Sequence, residues 1–377
     1  MLISRIYSSC LIIIGLFTII GCGYKSKSIH SGKIWLDTNG DTINAHGGGI
    51  LFHNGLYYWF GEHKVSGQKG NYAMVGVHAY SSKNLYDWKN EGIVLPVLQD
   101  SLHPLAKGCI IERPKVIYNP TTKKFVMWFH HELKGSNYAS ALSGIAVANK
   151  PNGPYIYLKS VRPNKQQWPT NSFDVHKVPV NDSIKHNYCG YEGCLSPHPD
   201  SLNILGRDFR DGQMARDMTL FLDGDKAYHI YSSEENSTIH IAELTPDFLN
   251  YTGKYKRLFI NRYMEAPAIF KTENNKYYFI ASGCTGWFPN AARLAVADSL
   301  FGEWKELGNP AKGIDSSTTF SSQGTFVLSI YGKPNKFIFM ADRWSPVDAI
   351  DGRYIWLPIT WKNNEPEIYW KAVWELD

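Results

Sequence analysis

Short runs rich in Val, Ile, Tyr, Phe and Trp recur along the chain, and no long segment has an apolar period of 3.6 residues. This pattern is typical of β-strands. The runs pair into five hairpins whose turns contain Asn, Gly, Asp or Lys, the residues that hairpin loops need. In chain order the hairpins are GILFHNGLYYWFGE, KVIYNPTTKKFVMWFHH, TLFLDGDKAYHIYSS, AIFKTENNKYYFIAS and TFVLSIYGKPNKFIFMAD.

A second element follows four of these hairpins and ends in an aromatic residue: YSSKNLYDW, VANKPNGPY, AELTPDFLNY and VADSLFGEW. A hairpin, a third strand running into this element and a fourth strand beyond it make a four-stranded unit. The unit starts at Asp217 and Glu265 are 48 residues apart, and those at Glu265 and Gln323 are 58 apart. Four-stranded units at this spacing are typical of propeller blades. We therefore predict an all-β, five-bladed β-propeller that forms one domain over residues 43–377.

One interval between hairpins is about twice as long as the others. From Glu112 to Asp217 the chain runs 105 residues, and the excess is a stretch rich in Pro, Asn and Asp. Loops of this length are usually functional or disordered. We expect residues 161–212 to form a long loop over the face of the propeller that carries the functional site.

The N-terminus is predicted to be a targeting segment. Arg5 precedes an apolar run over residues 11–20, and Gly21 precedes Cys22. The run is shorter than the roughly 20 apolar residues that span a bilayer. The string IIGC resembles a bacterial lipobox, which implies a signal peptide over 1–21, lipidation of Cys22 and a flexible tether over 22–42. We expect a cell-envelope lipoprotein, periplasmic or on the outer-membrane surface; an uncleaved anchor is the alternative.

The net charge and the cysteine spacing bear on nucleic-acid binding, metal binding and disulfide formation. The net charge is +5 and no block of Lys or Arg interrupts the strands, so the composition gives no sign of nucleic-acid binding. Cysteines with metal-site spacing are absent from the sequence. In an oxidising compartment Cys189 and Cys194 could close a small disulfide loop, whereas free buried thiols explain Cys109 and Cys284 equally well.

Three of the hairpins open on a carboxylate: Glu112, Asp217 and Glu265. The innermost strands of a propeller begin at the same end of the central channel, so these side chains should share one cavity. Mutual repulsion in a partly dry cavity raises at least one pKa and provides a proton donor at neutral pH. Glycoside hydrolysis needs this arrangement. The alternative is that each acid caps a strand or pairs with Arg113 or Arg216.

The strings RDMTLF and EAPAIF in successive blades resemble glycoside hydrolase family 43. Together with them, AHGGGI, GEHK, IERPKVIYN, SGCTGWFPN and SSQGTF resemble its exo-β-1,3-galactanase branch, over His46 to Trp374. The resemblance implies an inverting exo-glycosidase that releases galactose from β-1,3-galactan or arabinogalactan-type glycans. Alternatives are an α-L-arabinofuranosidase, a β-xylosidase, a galactofuranosidase or a non-catalytic glycan-binding propeller. The presence of both strings, RD and EAP, argues against a non-catalytic propeller, because a glycan-binding module does not need a tuned acid.

By this resemblance Glu265 is the general acid, and Asp217 orients it and tunes its pKa. Most of the family carries its general base, an Asp, at the start of the first blade. In this chain that position falls within AHGGGI, where the glycines offer no carboxylate and would leave room beside the sugar. The candidates for activating water are Gln323 and Glu112. We expect Gln323 to position the water and Glu112 to hold the galactose; a packing role for Gln323 is the alternative.

The resemblance also implies a set of substrate-binding residues: Glu62, Tyr138, Trp287 and His46. Trp344 and Arg343, in MADRW, are further candidates, although inner-strand residues are more often core. We expect a polysaccharide or oligosaccharide as the partner, a monomer, and membrane contact only through the lipid.

We expect no cofactor and no catalytic metal. Some family members hold a structural calcium ion on the propeller axis, but no acidic loop with calcium-site spacing occurs in the sequence. His130 and His131 are adjacent in a predicted strand and therefore point to opposite faces, so they cannot readily bind one ion. We interpret both as structural.

Overall fold

A computed structural model describes residues 27–72, 74–178 and 203–376 of the chain. Within these ranges the protein is a five-bladed β-propeller, which confirms the predicted fold. The predicted signal peptide, the lipidation site Cys22 and the proposed Cys189–Cys194 disulfide lie outside the described residues. No helix in the described ranges is long and apolar enough to cross a membrane.

Each blade is built from consecutive antiparallel strands, with the first strand of each hairpin innermost. Blade one contains β2 (His46–His53), β3 (Leu56–Lys64), β4 (Met74–Ser82) and β5 (Lys89–Pro96). Blade two contains β6 (Ile110–Asn119), β7 (Lys124–Glu132), β8 (Leu142–Ala148) and β9 (Ile156–Val161). Blade three contains β10 (Met218–Asp223), β11 (Lys226–Ser233), β12 (Thr238–Leu244) and β13 (Tyr251–Leu258).

Blade four contains β14 (Met264–Lys271), β15 (Tyr277–Gly283), β16 (Arg293–Ala297) and β17 (Lys305–Gly308). Blade five has an extra strand: β18 (Ala311–Lys312) pairs in parallel with β22 (Glu365–Tyr369), beyond β19 (Gln323–Ser329), β20 (Phe337–Arg343) and β21 (Arg353–Lys362). The helical elements of the described ranges are one short helix, α1 (Ile204–Arg207), and 3₁₀ turns at Gly70–Tyr72, Asp174–Lys177, Ser316–Thr318 and Ala349–Asp351.

The N-terminal segment is more ordered than the sequence suggested. Strand β1 (Ile29–His30) pairs with β23 (Val373–Trp374) near the C-terminus. The Trp35 ring lies 4.9 Å from the Trp356 ring in blade five. The predicted flexible tether over residues 22–42 is therefore packed against the propeller from Ile29 onward, through this two-residue pairing and the aromatic contact.

The core lies between neighbouring blades and not within a single sheet. Five buried clusters each join two adjacent blades, and the cluster between blades five and one closes the ring. That closing cluster contains Trp59, Trp88 and Trp356, all about 1 % exposed. Since each blade packs on both neighbours, the starts of the five inner strands are held at a fixed distance around the channel.

The described part of the long insertion packs on the outer edge of blade three. Thr170 donates its backbone N–H to the Tyr255 carbonyl at 2.8 Å. At the opposite end of the insertion, Arg207 pairs with Glu235 at 2.9 Å, in the turn after β11. Coverage of the functional face by the insertion therefore stays a prediction, because residues 179–202 are outside the described ranges.

Candidate active site

A cavity of about 260 Å³ opens on the propeller axis where the inner strands begin. It brings together seven of the eight predicted site residues, and His46 is the exception. The residues lining it are Glu62, Asn71, Glu112, Arg113, Tyr138, Asp217, Glu265, Gly286, Trp287, Gln323 and Trp344. The predicted convergence of the hairpin starts is thus present in the structure.

A bulge recurs at the start of the inner strand in three blades, and in two of them the residue before the bulge lines the cavity. In blades one, two and four the register shifts immediately after His46, Glu112 and Glu265. The next residue in each case has a left-handed backbone: Gly47 (φ 62°), Arg113 (φ 55°) and Ala266 (φ 54°). Such conformations cost energy for residues other than glycine and cluster at functional sites.

Glu265 has the electrostatic properties of a proton donor. Burial, followed by the charge of Asp217, raises its pKa to about 7. Its Oε1 accepts hydrogen bonds from Asn236 Nδ2 at 3.3 Å and from Cys284 Sγ at 3.2 Å. Near neutral pH a large fraction of Glu265 therefore carries a proton, as a general acid must.

Asp217 is fixed beside Glu265 through the backbone of the bulge. Its Oδ2 accepts a hydrogen bond from the Ala266 N–H at 3.0 Å and pairs with Arg113 Nη2 at 2.9 Å. Because Ala266 directly follows Glu265, this contact sets the separation of the two carboxylates.

Gln323 uses its amide oxygen to accept two hydrogen bonds. Oε1 binds Arg113 Nη2 and the Trp344 indole N–H, the latter at 3.0 Å, and Nε2 donates to Ser282 Oγ at 2.9 Å. The two donors fix the orientation of the amide, and they occupy both lone pairs of the oxygen. What Gln323 can still offer to a water molecule is its second N–H.

Glu112 is held as a carboxylate by a charged histidine. Burial opposes ionisation, but the hydrogen bond and charge of His130 outweigh it and lower the pKa of Glu112 to about 2. His130 lies between Glu112 and Glu132 at 2.8 and 2.9 Å, and these hydrogen bonds overcome burial and raise its pKa to about 9. Tyr138 donates to the other Glu112 oxygen at 2.8 Å. His131 points elsewhere, towards Ser160.

A steric constraint explains why position 47 is a glycine. A Cβ there would lie 2.2 Å from Glu62 Oε1. That oxygen also accepts the backbone N–H of Arg113 at 3.0 Å, and Lys64 Nζ lies 2.8 Å from Oε2. The room left by Gly47 is therefore filled by the Glu62 carboxylate from the next strand. This differs from the expectation that the glycines leave room beside the sugar. Burial raises the pKa of Glu62.

His46 does not line the cavity. It is fully buried, its Nε2 lies 3.2 Å from the Ile350 carbonyl, and its ring stacks on Tyr354. Burial and the charge of Lys64 lower its pKa to about 3, so it is neutral. We therefore assign His46 no contact with the substrate, because its side chain is fully buried and is not among those that line the cavity.

The sequence pattern predicts no site role for Arg113 or for Asp342. Arg113, considered only as a partner for an acid, joins Asp217, Gln323 and the Gly324 carbonyl, and lies 5.4 Å from the Trp344 ring. Asp342 accepts the Gly47 N–H, and burial raises its pKa to about 7. Asp342 belongs to the second strand of blade five, where no hairpin-start pattern draws attention to it.

A cluster of potential metal ligands lies at the cavity, but its contacts suit calcium poorly. One ligand atom each from Glu112, His130 and Asp217 lies within 4.8 Å of the others. However, both His130 ring nitrogens donate to carboxylates, and Asp217 pairs with the Arg113 guanidinium. Calcium prefers oxygen ligands without a neighbouring cation, so this cluster fits protons and arginine better than it fits a metal.

Aromatic residues form one wall of the cavity. Trp287 is 38 % exposed and lies edge-on to Trp344, with 6.3 Å between the ring centroids. An exposed indole beside several carboxylates offers an apolar face and hydroxyl-binding groups in one cavity, a combination that suits a sugar ring.

No family model and no curated protein matches the chain, but solved structures do. The β-1,3-galactosidase BT3683 of family GH43, bound to galactodeoxynojirimycin, is 50 % identical over 92 % of this chain and 100 % of that one, with a TM-score of 0.85. The exo-β-1,3-galactanase of Clostridium thermocellum is 34 % identical over 93 % of this chain and 67 % of that one, with a TM-score of 0.75.

A third similar structure is an exo-β-1,3-galactanase variant from Phanerochaete chrysosporium, bound to β-1,3-galactotriose. It is 30 % identical over 93 % of this chain and 69 % of that one, with a TM-score of 0.73. Identity at this level over nearly the whole propeller, together with the acidic cavity on its axis, shows that the chain belongs to glycoside hydrolase family 43.

Proposed function

We propose that this protein is an inverting exo-glycosidase that releases galactose from β-1,3-galactan or arabinogalactan-type glycans. The observation that carries the proposal is Glu265, whose pKa is raised to about 7 beside Asp217 in a cavity on the axis. The family relationship supports the substrate, since the similar structures are named as β-1,3-galactosidases and exo-β-1,3-galactanases.

In the proposed mechanism Glu265 donates its proton to the glycosidic oxygen. The bond between that oxygen and the anomeric carbon breaks, and the remaining glycan leaves with a new hydroxyl group. Asp217 keeps Glu265 protonated until the substrate arrives, because two neighbouring carboxylates do not readily ionise together. General acid catalysis of this kind contributes about 10²- to 10⁴-fold to the rate.

On the other side of the sugar we assign the positioning of the attacking water to Gln323, through its second N–H. The water oxygen forms the new bond to the anomeric carbon and the water loses a proton. The amide oxygen of Gln323 is occupied by Arg113 and Trp344, so that proton passes to a carboxylate of the cavity, Glu112 or Glu62. Glu112 and Glu62 both line the cavity. We assign Glu112, which is ionised, to holding the galactose hydroxyls.

The activity is tested by incubating the protein with β-1,3-galactan, arabinoxylan and a set of aryl glycosides. Galactose as the sole released sugar, appearing first as the α-anomer in NMR spectra, is the expected result. Release of arabinose or xylose in place of galactose would refute the substrate, and β-galactose as the first product would refute inversion.

We further propose that the protein is a lipoprotein of the bacterial cell envelope, on the support of the IIGC string before Cys22. Processing should be blocked by globomycin, and the wild type should partition into detergent. A Cys22→Ala variant should not. Equal partitioning of both proteins into the aqueous phase would contradict lipidation.

A further inference from the structure

Two groups donate to the same oxygen of Glu265. Cys284 Sγ lies 3.2 Å from Oε1 and Asn236 Nδ2 lies 3.3 Å from it. The two donors also contact each other, at 3.7 Å between Nδ2 and Sγ. Among the residues that the structure describes, none donates a hydrogen bond to Oε2. The two oxygens of the acid are therefore inequivalent before any substrate binds.

Both donors are held firmly, and they come from two different blades. Cys284 follows β15 and is 4 % exposed, and the preceding Gly283 is pinned at both its N–H and its carbonyl by the Asn290 amide, at 2.7 and 3.0 Å. Asn236 is 7 % exposed and lies in the turn after β11 with a left-handed backbone (φ 64°). Asn236 reaches Glu265 from the neighbouring blade, so this pair of contacts forms only when blades three and four are packed together.

The thiol is a donor throughout the working pH range. Burial, followed by the charge of Glu265, raises the pKa of Cys284 well above its usual range. A protonated carboxyl group carries its hydrogen on one oxygen and accepts hydrogen bonds on the other. A donor bound to Oε1 therefore disfavours a proton on Oε1 and favours the form with the proton on Oε2.

We propose that Cys284 and Asn236 are positioning residues that hold the catalytic proton of Glu265 on Oε2, the oxygen left open to the substrate. Neither residue touches the reacting atoms. The inference rests on the proposed function, since it requires Glu265 to be the general acid. It gives a role to a buried cysteine that burial alone does not distinguish from Cys109.

The test uses aryl β-galactosides whose leaving groups range from good to poor. Loss of the thiol in Cys284→Ala should lower kcat/KM on the poor leaving groups by about 5- to 30-fold more than on the good ones. The basic limb of the pH profile should also move to higher pH, because the ionised carboxylate loses a donor. Cys284→Ser, which keeps a hydrogen-bond donor, should restore both properties.

Cys109→Ala is the matched control, since Cys109 is also a buried cysteine and lies in the core between blades one and two. It should change neither the leaving-group dependence nor the pH profile. Asn236→Ala should shift the leaving-group dependence and the pH profile in the same direction as Cys284→Ala. It replaces Cys284→Ala in the test if that variant does not fold. Equal losses in Cys284→Ala and Cys284→Ser, or unchanged profiles in both alanine variants, would overturn the proposal.

Failure of the proposed function would give a different result. If the wild type cleaves aryl glycosides of another sugar and not galactosides, the substrate assignment is wrong. The same leaving-group series on that sugar then still decides whether Cys284 and Asn236 position the proton.

Discussion

Replacing Glu265 by Gln should stabilise the protein at alkaline pH while it removes the general acid. The pKa of Glu265 is raised from 4.5 to about 7, a difference of about 2.5 units. At 1.36 kcal/mol per unit this corresponds to an upper limit of roughly 3 kcal/mol. Solvent at the open side of the cavity screens the charges and reduces the expected gain to about 1–2 kcal/mol.

The sign of this effect follows from the two pKa values. Below pH 4.5 the carboxyl group is protonated in both the folded and the unfolded chain, so the substitution gives no pH-linked gain. As the pH rises from 4.5 to 7 the unfolded chain releases its proton while the folded protein retains it, and the wild type loses stability. Above pH 7 the loss is complete, and Glu265→Gln should have its full advantage.

The assay is urea unfolding of both proteins at pH 4 and pH 8, with activity on an aryl galactoside recorded in parallel. Glu303→Gln is the control, because the Glu303 side chain is fully exposed and only pairs with Lys256. It should change the free energy of unfolding little at either pH. The reasoning is refuted if Glu265→Gln gives the same change at both pH values or destabilises the protein at pH 8.

Three further predictions concern the cavity. Gly47→Ala should abolish activity and lower the free energy of unfolding in urea by about 1–3 kcal/mol. Gly55→Ala is its control, because Gly55 also has a positive φ but an added Cβ would have no atom within 4 Å, so this variant should lose stability only. Equal activity of the two variants would exclude the steric account. Asp217→Asn should move the basic limb of the kcat/KM profile to lower pH, since the charge that raises the pKa of Glu265 is lost; a shift to higher pH would contradict this. Gln323→Ala should slow hydrolysis of galactan and of an aryl galactoside by similar factors, because both need the attacking water; retained activity would favour a packing role.

The blades were predictable from the sequence because each hairpin carries its own local signal. Alternating aromatic and β-branched residues, a turn of Asn or Gly and a constant spacing together identify a blade without knowledge of its neighbours. The carboxylates at the hairpin starts were predictable for the same reason, since the position of Glu112, Asp217 and Glu265 within each repeat fixes where they lie in a propeller.

The rest depends on contacts between distant parts of the chain. Strand β1 is only two residues long, and its partner β23 lies over 300 residues away, so no local pattern reveals it. Glu62 fills the volume beside Gly47 through a register that the bulge in β2 creates. The orientation of the Gln323 amide is set by donors from blade two and from the chain beyond β20, and it can be known only once the blades are assembled.

The most direct test of the account compares Glu265→Ala with the wild type on β-1,3-galactan and on an aryl β-galactoside with a good leaving group. Loss of the acid should reduce the rate on galactan by about 10²- to 10⁴-fold, because a sugar alkoxide cannot leave without a proton. The aryl substrate, whose leaving group needs little protonation, should be affected far less. Equal losses on both substrates, or an active variant on galactan, would contradict the assignment of Glu265 as the general acid.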